Sequence, residues 1–555
     1  MNSAVRWLWK ITGQKKAYVL FLTLVQAAQA GLGVFYALLL RGIVDSAAEH
    51  DIHAFWRNVS LIVALVILQI CLSAIVRWLH ELAKADIENL LKQRLTDNIL
   101  RKDYSAVSAT HTGQWLNRLT SDTRIVADGV ADILPGLTST VVRLVSALIM
   151  VIALDRMFAA ILVPGSVVLC VLTYAFRKVL KRLHKNIQER DGQLRVFLQE
   201  HIGSLMMIKS FVAERQTSAA AAEAMAAHKA ARMKRSHLSN VANVGFAVAI
   251  EGMYLLGVVY CAYGILSGAV TYGTLTAIMQ LVGQIQGPFV NISSYLPRFY
   301  AMTASAERLM EIEAFPDDAA ARSTDEIRRF YQDSFSAIGL RNACFTYESD
   351  SSAPVVLHNV SVDVRKREYV AFTGHSGCGK STVLKLLMCM YPLDSGERIL
   401  KNASGELPLD ASWRRLFAYV PQGNALIHGT IREIVSFADP EAGANEAQIR
   451  HALKVACADE FVDDLDAELG ERGSGLSEGQ MQRIAIARAI FADCPVLLLD
   501  ESTSALDDKT EQKLLENLRS LTDKTVVIVT HRNAALSICD RVLRFTESGI
   551  TEVTA

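Results

Sequence analysis

The chain lacks a net charge. Its 57 Lys and Arg residues balance 57 Asp and Glu residues, so it has no basic surplus for nucleic acid, and no nucleic-acid partner is expected. It also lacks paired cysteines. Nine are scattered through 555 residues without a C-x-x-C pair, three (Cys71, Cys170, Cys261) in apolar runs and six in the C-terminal half. That spread speaks against a disulfide framework and fits thiols kept reduced by a cytosol. No His or Cys cluster points to a metal or a thiol conjugate as ligand. No cleavable leader is read at the N-terminus. Trp7, Trp9 and Lys10 instead predict a short amphipathic helix at a membrane interface. What abounds is apolar residue: 51% of the chain, with mean hydropathy +0.23, high for a soluble protein. The length calls for two or more domains.

Six apolar runs long enough to span a bilayer occur before residue 300, at 17–40, 59–79, 133–154, 157–176, 241–266 and 272–292. The last is the most polar, with Gln280, Gln284, Gln286 and Asn291, and its Pro288 is tolerable in a membrane helix. The connections near 45–57, 155 and 267–271 are short. Those at 80–132 and 177–240 are long and rich in Lys and Arg. Arg177, Lys178, Lys181, Arg182 and Lys185 follow one span; Lys229, Arg232, Lys234 and Arg235 precede the next. By the positive-inside rule both long stretches and the N-terminus are cytoplasmic. With few Gly or Pro residues, these stretches are expected to continue the membrane helices into the cytoplasm.

The ionisable residues Arg143 and Glu251 fall inside spans. Each costs roughly 2.5–3.5 kcal/mol at a helix centre on insertion scales. They either line a substrate cavity or pair between neighbouring helices. Gln26, Gln29, Gln69, Gln280 and Gln284 are candidates for the same cavity wall, or for bonds between helices. Residues 305–312 continue a helix, and 313–325 turn polar and rich in Pro and Asp. The expected division is a membrane domain over 1–312, a linker over 313–333 and a second domain over 334–555.

The second domain is organised around Gly374-His375-Ser376-Gly377-Cys378-Gly379-Lys380-Ser381-Thr382, which fits the phosphate-loop pattern G-x-x-x-x-G-K-[ST]. A strand is predicted before it at 368–372 and a helix after it at 382–389. The glycines let the backbone fold round a phosphate chain, with N–H groups and the helix N-terminus facing the anion. Lys380 would reach the β- and γ-phosphates and Ser381 would hold Mg²⁺. Tyr347, upstream, is a candidate to stack on adenine. Pro421-Gln422 follows a predicted strand at 416–420. The run 495–501 reads as a buried strand ending in Asp500 and Glu501, placed for Mg²⁺ binding and water activation. Another buried strand, 526–530, ends at His531.

The most specific stretch is Gly473-Ser474-Gly475-Leu476-Ser477-Glu478-Gly479-Gln480-Met481-Gln482-Arg483. With the phosphate loop and Asp500-Glu501 it resembles the ATP-binding cassette (ABC) family, over essentially the whole chain. Six spans followed by one cassette resemble an exporter-type half-transporter, and Gly470-Glu471-Arg472-Gly473 is typical of exporter cassettes. The implied fold is an α-helical membrane domain with long cytoplasmic extensions, joined to an α/β P-loop NTPase domain.

The resemblance implies the roles. Tyr347 is similar to the adenine-stacking aromatic. The loop residues through Lys380, Ser381 and Thr382 resemble the phosphate and Mg²⁺ ligands. Gln422 resembles the glutamine that senses Mg²⁺ and the attacking water, Asp500 the Mg²⁺ carboxylate, Glu501 the catalytic base and His531 the γ-phosphate histidine. Ser504 to Asp507 match the loop crossing the dimer interface. Ser477, Gly479 and Gln480 would meet the ATP held by the other cassette. Glu478 replaces the usual glycine of the signature, and the phosphate-contacting Ser477 and Gly479 are kept.

The implied function is ATP-driven export, from the cytoplasmic side of a bacterial inner membrane, of an amphipathic peptide, lipid or drug-like molecule. Two copies would sandwich two Mg·ATP. Segments near 104–111 and 204–211 would transmit motion, the second docking on the partner's cassette near Gln422. Import of a chelate and pairing with a related half-transporter are the alternatives. No N-terminal peptidase domain is read, so a protease-coupled peptide exporter is not indicated.

Overall fold

The structure, a computed structural model, describes residues 3–347, 355–423, 426–470, 473, 475–546 and 549–553. Only the backbone is described over much of 161–188 and 286–296, and at 242, 246 and 250. Glu471, Arg472 and the side chains of Arg177, Lys178, Lys181, Arg182, Lys185, Gln286 and Asn291 lie outside the described residues.

Long apolar runs poor in Gly and Pro become long helices. After α1 (Ser3–Ile11) come α2 (Lys16–Ala48), α3 (Ile52–Arg101), the short α4 (Tyr104–Ser108) and α5 (Thr112–Asn117), then α6 (Thr123–Leu154) and α7 (Arg156–Gly203). The short α8 (Leu205–Ser210), α9 (Glu214–Leu266) and α10 (Tyr272–Glu311) complete the first half. The six expected spans fall one each in α2, α3, α6, α7, α9 and α10. Among the described residues, four stretches, Gly13–Ala48, Ile52–Arg101, Thr112–Leu154 and Glu214–Leu266, are long and apolar enough to cross a membrane. The spans expected at 157–176 and 272–292 lie partly among side chains outside the described residues. At 1.5 Å per residue α3 is ~75 Å long, more than twice the ~30 Å hydrocarbon layer.

The chain divides into two units, Met1–Asn98 with Gly113–Ala314, and Ile99–Thr112 with Phe315–Ala555. In the first, α2, α6 and α10 pack together and α7 packs on α9, round a core that includes Val34, Ala147, Val151, Ile278 and Leu281. The apolar run of α3 keeps Leu61, Ile67 and Ile70 exposed, as a lipid-facing helix would. Glu313 accepts hydrogen bonds from Trp7 (2.9 Å) and Arg94 (2.8 Å), tying α1 to the end of the bundle.

The second unit carries α11 (Thr324–Asp333), α12 (Lys380–Leu387), α13 (Ile431–Val435), α14 (Glu446–Val455), α15 (Glu478–Phe491), α16 (Asp508–Arg519) and α17 (Asn533–Ser537). Its strands are β1 (Phe335–Phe345), β2 (Leu357–Arg365), β3 (Tyr369–Thr373), β4 (Ser395–Asn402), β5 (Gly405–Pro408) and β6 (Phe417–Val420). Then follow β7 (Gly429–Thr430), β8 (Glu468–Leu469), β9 (Val496–Asp500), β10 (Thr525–Val529), β11 (Arg541–Thr546) and β12 (Gly549–Val553). An antiparallel sheet runs β2-β1-β4-β5, and a second sheet runs β12-β11-β3-β10-β9-β6, parallel except at β12. Strands β9 and β10 are buried at every position, which is why they read as unbroken apolar runs.

Two features depart from the expected boundaries. The second half of the expected linker is α11, capped by Ser323 and docked through buried Ile327 and Tyr331. Residues Ile99–Thr112, expected within the 1–312 domain, group with the second unit. Lys102 donates to the Phe315 carbonyl (2.6 Å) and pairs with Asp317 (2.8 Å), and Tyr104 sets its ring edge-on to Tyr391 at 5.6 Å. The unbroken helical pattern of α3 hides this switch of partner.

Candidate active site

Four adjacent strands of the parallel sheet, β3, β10, β9 and β6, end at one edge, where open α/β sheets bind ligands. Each delivers a group that the sequence singles out. After β3 the phosphate loop turns through Gly374, Gly377 and Gly379, with φ of +138°, +84° and +94°. A Cβ on Gly379 would lie 2.5 Å from the Leu357 side chain, and one on Gly374 2.5 Å from the Phe545 carbonyl oxygen. At Gly374 glycine is required by space as well as by conformation; at Gly379 the left-handed backbone is what requires it. Helix α12 starts at Lys380, whose ammonium is buried and donates to the carbonyls of Gly374 (2.8 Å) and His375 (2.9 Å), with the Cys378 sulfur at 3.7 Å. A cation at the centre of a loop at a helix N-terminus fits a phosphate chain.

Strand β9 ends in Asp500, 1% exposed, whose Oδ1 accepts the Ser381 hydroxyl at 2.8 Å. This hard-oxygen pair is of the kind that would suit Mg²⁺. Among the described residues no group of three or more His, Cys, Asp or Glu gathers as an all-protein cage. Glu501 follows in left-handed backbone, φ +49°. Its carboxylate accepts from Gln422 Nε2 at 2.9 Å and lies 3.9 Å from His531 Nε2, beyond β10. Tyr347 is 45% exposed, shares a hydrogen bond with the Thr382 hydroxyl (3.1 Å) and stands edge-on to Tyr391 at 5.2 Å. The Lys385 ammonium lies over its ring at 5.9 Å, and the half-exposed ring, tied to the phosphate helix, is placed where a base could stack.

The signature residues form a separate cluster. Exposed Ser477 caps α15 in a reciprocal box with Gln480: Gln480 N–H donates to Ser477 Oγ (3.2 Å) and Ser477 N–H to Gln480 Oε1 (2.9 Å). Glu478 is exposed in the first turn, where a carboxylate suits the helix dipole. A Cβ on Gly479 would sit 2.9 Å from the Ala505 carbonyl oxygen, so that glycine lets α15 approach the 501–507 turn. Among the described residues no hydrogen bond joins Ser477 to the phosphate loop.

Sequence reasoning missed three supports. Gln482, buried, accepts from Ala505 N–H and donates to Ser504, each at 3.1 Å. Glu511, also buried, accepts from Thr503 (2.8 Å) and Arg532 (2.7 Å), joining the turn after Glu501 to the residue after His531. Tyr419 of β6 donates to Asp500 Oδ2 at 3.0 Å. Burial and the neighbouring Asp500 carboxylate push its phenol well above the usual range, so the proton stays on it. Their positions beside recognised motifs were the only signal. Asp507 caps α16 by accepting from Thr510 N–H at 3.1 Å.

In the first unit, Gln284 donates to the Gly33 carbonyl at 2.7 Å and so binds α10 to α2. Arg143 and Glu251 are exposed, and no ion pair joins these two described residues. Gln26, Gln29, Gln69 and Gln280 are half-buried.

A phosphate loop and adjacent carboxylates at the ends of parallel strands define a P-loop ATPase, here fused to membrane-length helices. The chain belongs to the ABC transporters, with an ATPase cassette as its second half. The ABC transporter transmembrane region matches residues 17–289, and the ABC transporter family residues 357–504. The chain is 29% identical over 382 residues to the alpha-hemolysin translocation ATP-binding protein HlyB of Proteus vulgaris and to the leukotoxin translocation ATP-binding protein LktB of Mannheimia haemolytica. Each match covers 67% of this chain and 52% of the relative, so the chain spans about half the length of these relatives. A solved bacterial Atm1-family ABC exporter with ATP bound shares the fold, with a TM-score of 0.79, 21% identity, and coverage of 98% of this chain and 96% of that one.

Proposed function

We propose that this chain is half of an ATP-driven exporter of a bacterial inner membrane, acting as a homodimer with its cassettes in the cytoplasm. Its substrate is an amphipathic peptide, lipid or drug-like molecule. Peptide is favoured by the toxin-translocation names of HlyB and LktB. The observation that carries the reading is the convergence of Lys380, Ser381, Asp500, Glu501, Gln422 and His531 at one sheet edge. Lys380 and the loop N–H groups would hold the phosphates. Ser381 and Asp500 would hold Mg²⁺, which supplies charge neutralisation there, and Gln422 stands beside them. Glu501 takes a proton from the attacking water, and His531 donates to the γ-phosphate.

Two further features support a second copy. Ser477 stands exposed, its hydroxyl engaged by the Gln480 N–H of its own helix. The tip round α8 exposes Met206 (87%) and Phe211 (78%), apolar groups that need a cover. A cavity of about 630 Å³ in the cassette, lined by Ile427, Arg432, Phe437 and Pro440 among others, fits such a tip. Inside-out vesicles holding this chain should accumulate a labelled amphipathic peptide with ATP and not with Glu501→Gln. ATP-driven uptake in right-side-out vesicles alone would reverse the direction.

A further inference from the structure

The segment from Tyr419 to Gln422 carries one donor for each of two adjacent carboxylates. Tyr419 donates to Asp500 at 3.0 Å, and Gln422 donates to Glu501 at 2.9 Å. Strand β6 lies parallel to β9, with Tyr419 opposite Leu498 and Val420 opposite Leu499. The tyrosine hydroxyl therefore reaches forward along the neighbouring strand to its last residue.

Asp500 is then clamped at both oxygens, by Ser381 on Oδ1 (2.8 Å) and by Tyr419 on Oδ2. Each hydroxyl uses its single proton for the clamp. The Ser381 oxygen keeps a lone pair for a cation, and each carboxylate oxygen can accept more than one partner. The carboxylate cannot rotate without giving up a bond in a buried place.

We propose that Tyr419 is a positioning residue for the metal site: it fixes the Asp500 carboxylate for Mg²⁺ and ties the strand that presents Gln422 to that carboxylate. The proposal rests on the Mg·ATP reading of the site. A phenylalanine at 419 keeps the ring and removes only the clamp. Asp500 is then held at Oδ1 alone, and cation binding weakens while the phosphate loop and Tyr347 are untouched.

The test uses the full chain in lipid nanodiscs with Glu501→Gln, so that nucleotide is not turned over. A fluorescent ATP analogue is titrated first in EDTA, then at fixed nucleotide against Mg²⁺ and, by spin resonance, Mn²⁺. Tyr419→Phe should raise the metal midpoint about tenfold, the low end of what lost outer-shell partners cost metal sites, and leave nucleotide affinity in EDTA within about twofold. The unfolding midpoint should fall only modestly, as for the loss of one buried hydrogen bond. 3-Fluorotyrosine at 419 keeps the volume and alters the phenol's donor strength, so it should also shift the midpoint.

A merely structural role would move the EDTA affinity and the metal midpoint together, and that result would overturn the proposal. So would a native metal response that neither variant alters. A native chain whose nucleotide binding ignores metal would overturn the Mg²⁺ reading itself, and the proposal with it.

Discussion

Glu501 holds a left-handed backbone, φ +49°, that a residue with a Cβ adopts only at a cost of roughly 1–2 kcal/mol. Its N–H donates to the Val529 carbonyl (3.1 Å), which pins the turn to β10. Such local strain fits a residue whose carboxylate must face both Gln422 and His531. The buried Glu511 is a second single-residue pivot. Arg532→Ala would leave it with one donor, and the lost buried bond should cost about 1–3 kcal/mol, read as a lower unfolding midpoint of the cassette. Thiol chemistry separates the cysteines. Burial raises Cys389 and Cys494 to about 11 and Cys539 to about 12. These three stay as unreactive thiols near neutral pH, and their labelling should rise with pH toward those values. Cys378 lies in the phosphate loop beside Lys380. Maleimide at neutral pH should modify it and stop ATP hydrolysis, and ATP should protect it. Full activity after stoichiometric labelling of Cys378 would contradict its placement at the phosphates.

At the scale of elements, α4 is held by residues of its own unit, the cassette. Asp103 caps it, accepting from Ser105 N–H at 2.9 Å, and the Asp103 N–H donates to the Pro316 carbonyl at 3.0 Å. Loss of the cap in Asp103→Ala should cost about 0.5–2 kcal/mol. Tyr104→Ala removes the ring contact with Tyr391, which itself touches Tyr347. Basal hydrolysis should persist while stimulation by transported substrate falls. Unchanged stimulation would show that this contact carries no signal. The sequence made the segment near 104–111 recognisable only through resemblance. Its membership in the cassette unit depends on contacts with residues more than two hundred positions away. The phosphate loop and signature were legible because their chemistry needs fixed spacings within one turn. Tyr419, Gln482 and Glu511 were not, because each acts across strands or helices. Arg143 and Glu251 were visible as charges in apolar runs, but their surroundings were not: both are exposed, with no ion pair between them.

At the scale of the whole molecule, the account requires two chains. A cysteine at Met207 should cross-link to one at Phe437 of the other chain in a mixed sample of single mutants; a link that forms only within one chain would remove the exchange of docking tips. Of the six membrane-length stretches expected from hydropathy, four are long and apolar enough to cross a membrane among the described residues, since a bilayer imposes length and apolarity on sequence. Substrate choice was not, because it depends on which polar side chains meet in space. The central claim is a homodimeric ATPase with Glu501 as base. Its most direct test is ATP hydrolysis by this chain, purified alone in lipid nanodiscs, beside Glu501→Gln. The account predicts turnover by native dimers and a fall of about 10²–10⁴-fold in the mutant, the usual worth of a general base. An inert, monomeric native chain would contradict it and point to a different partner chain.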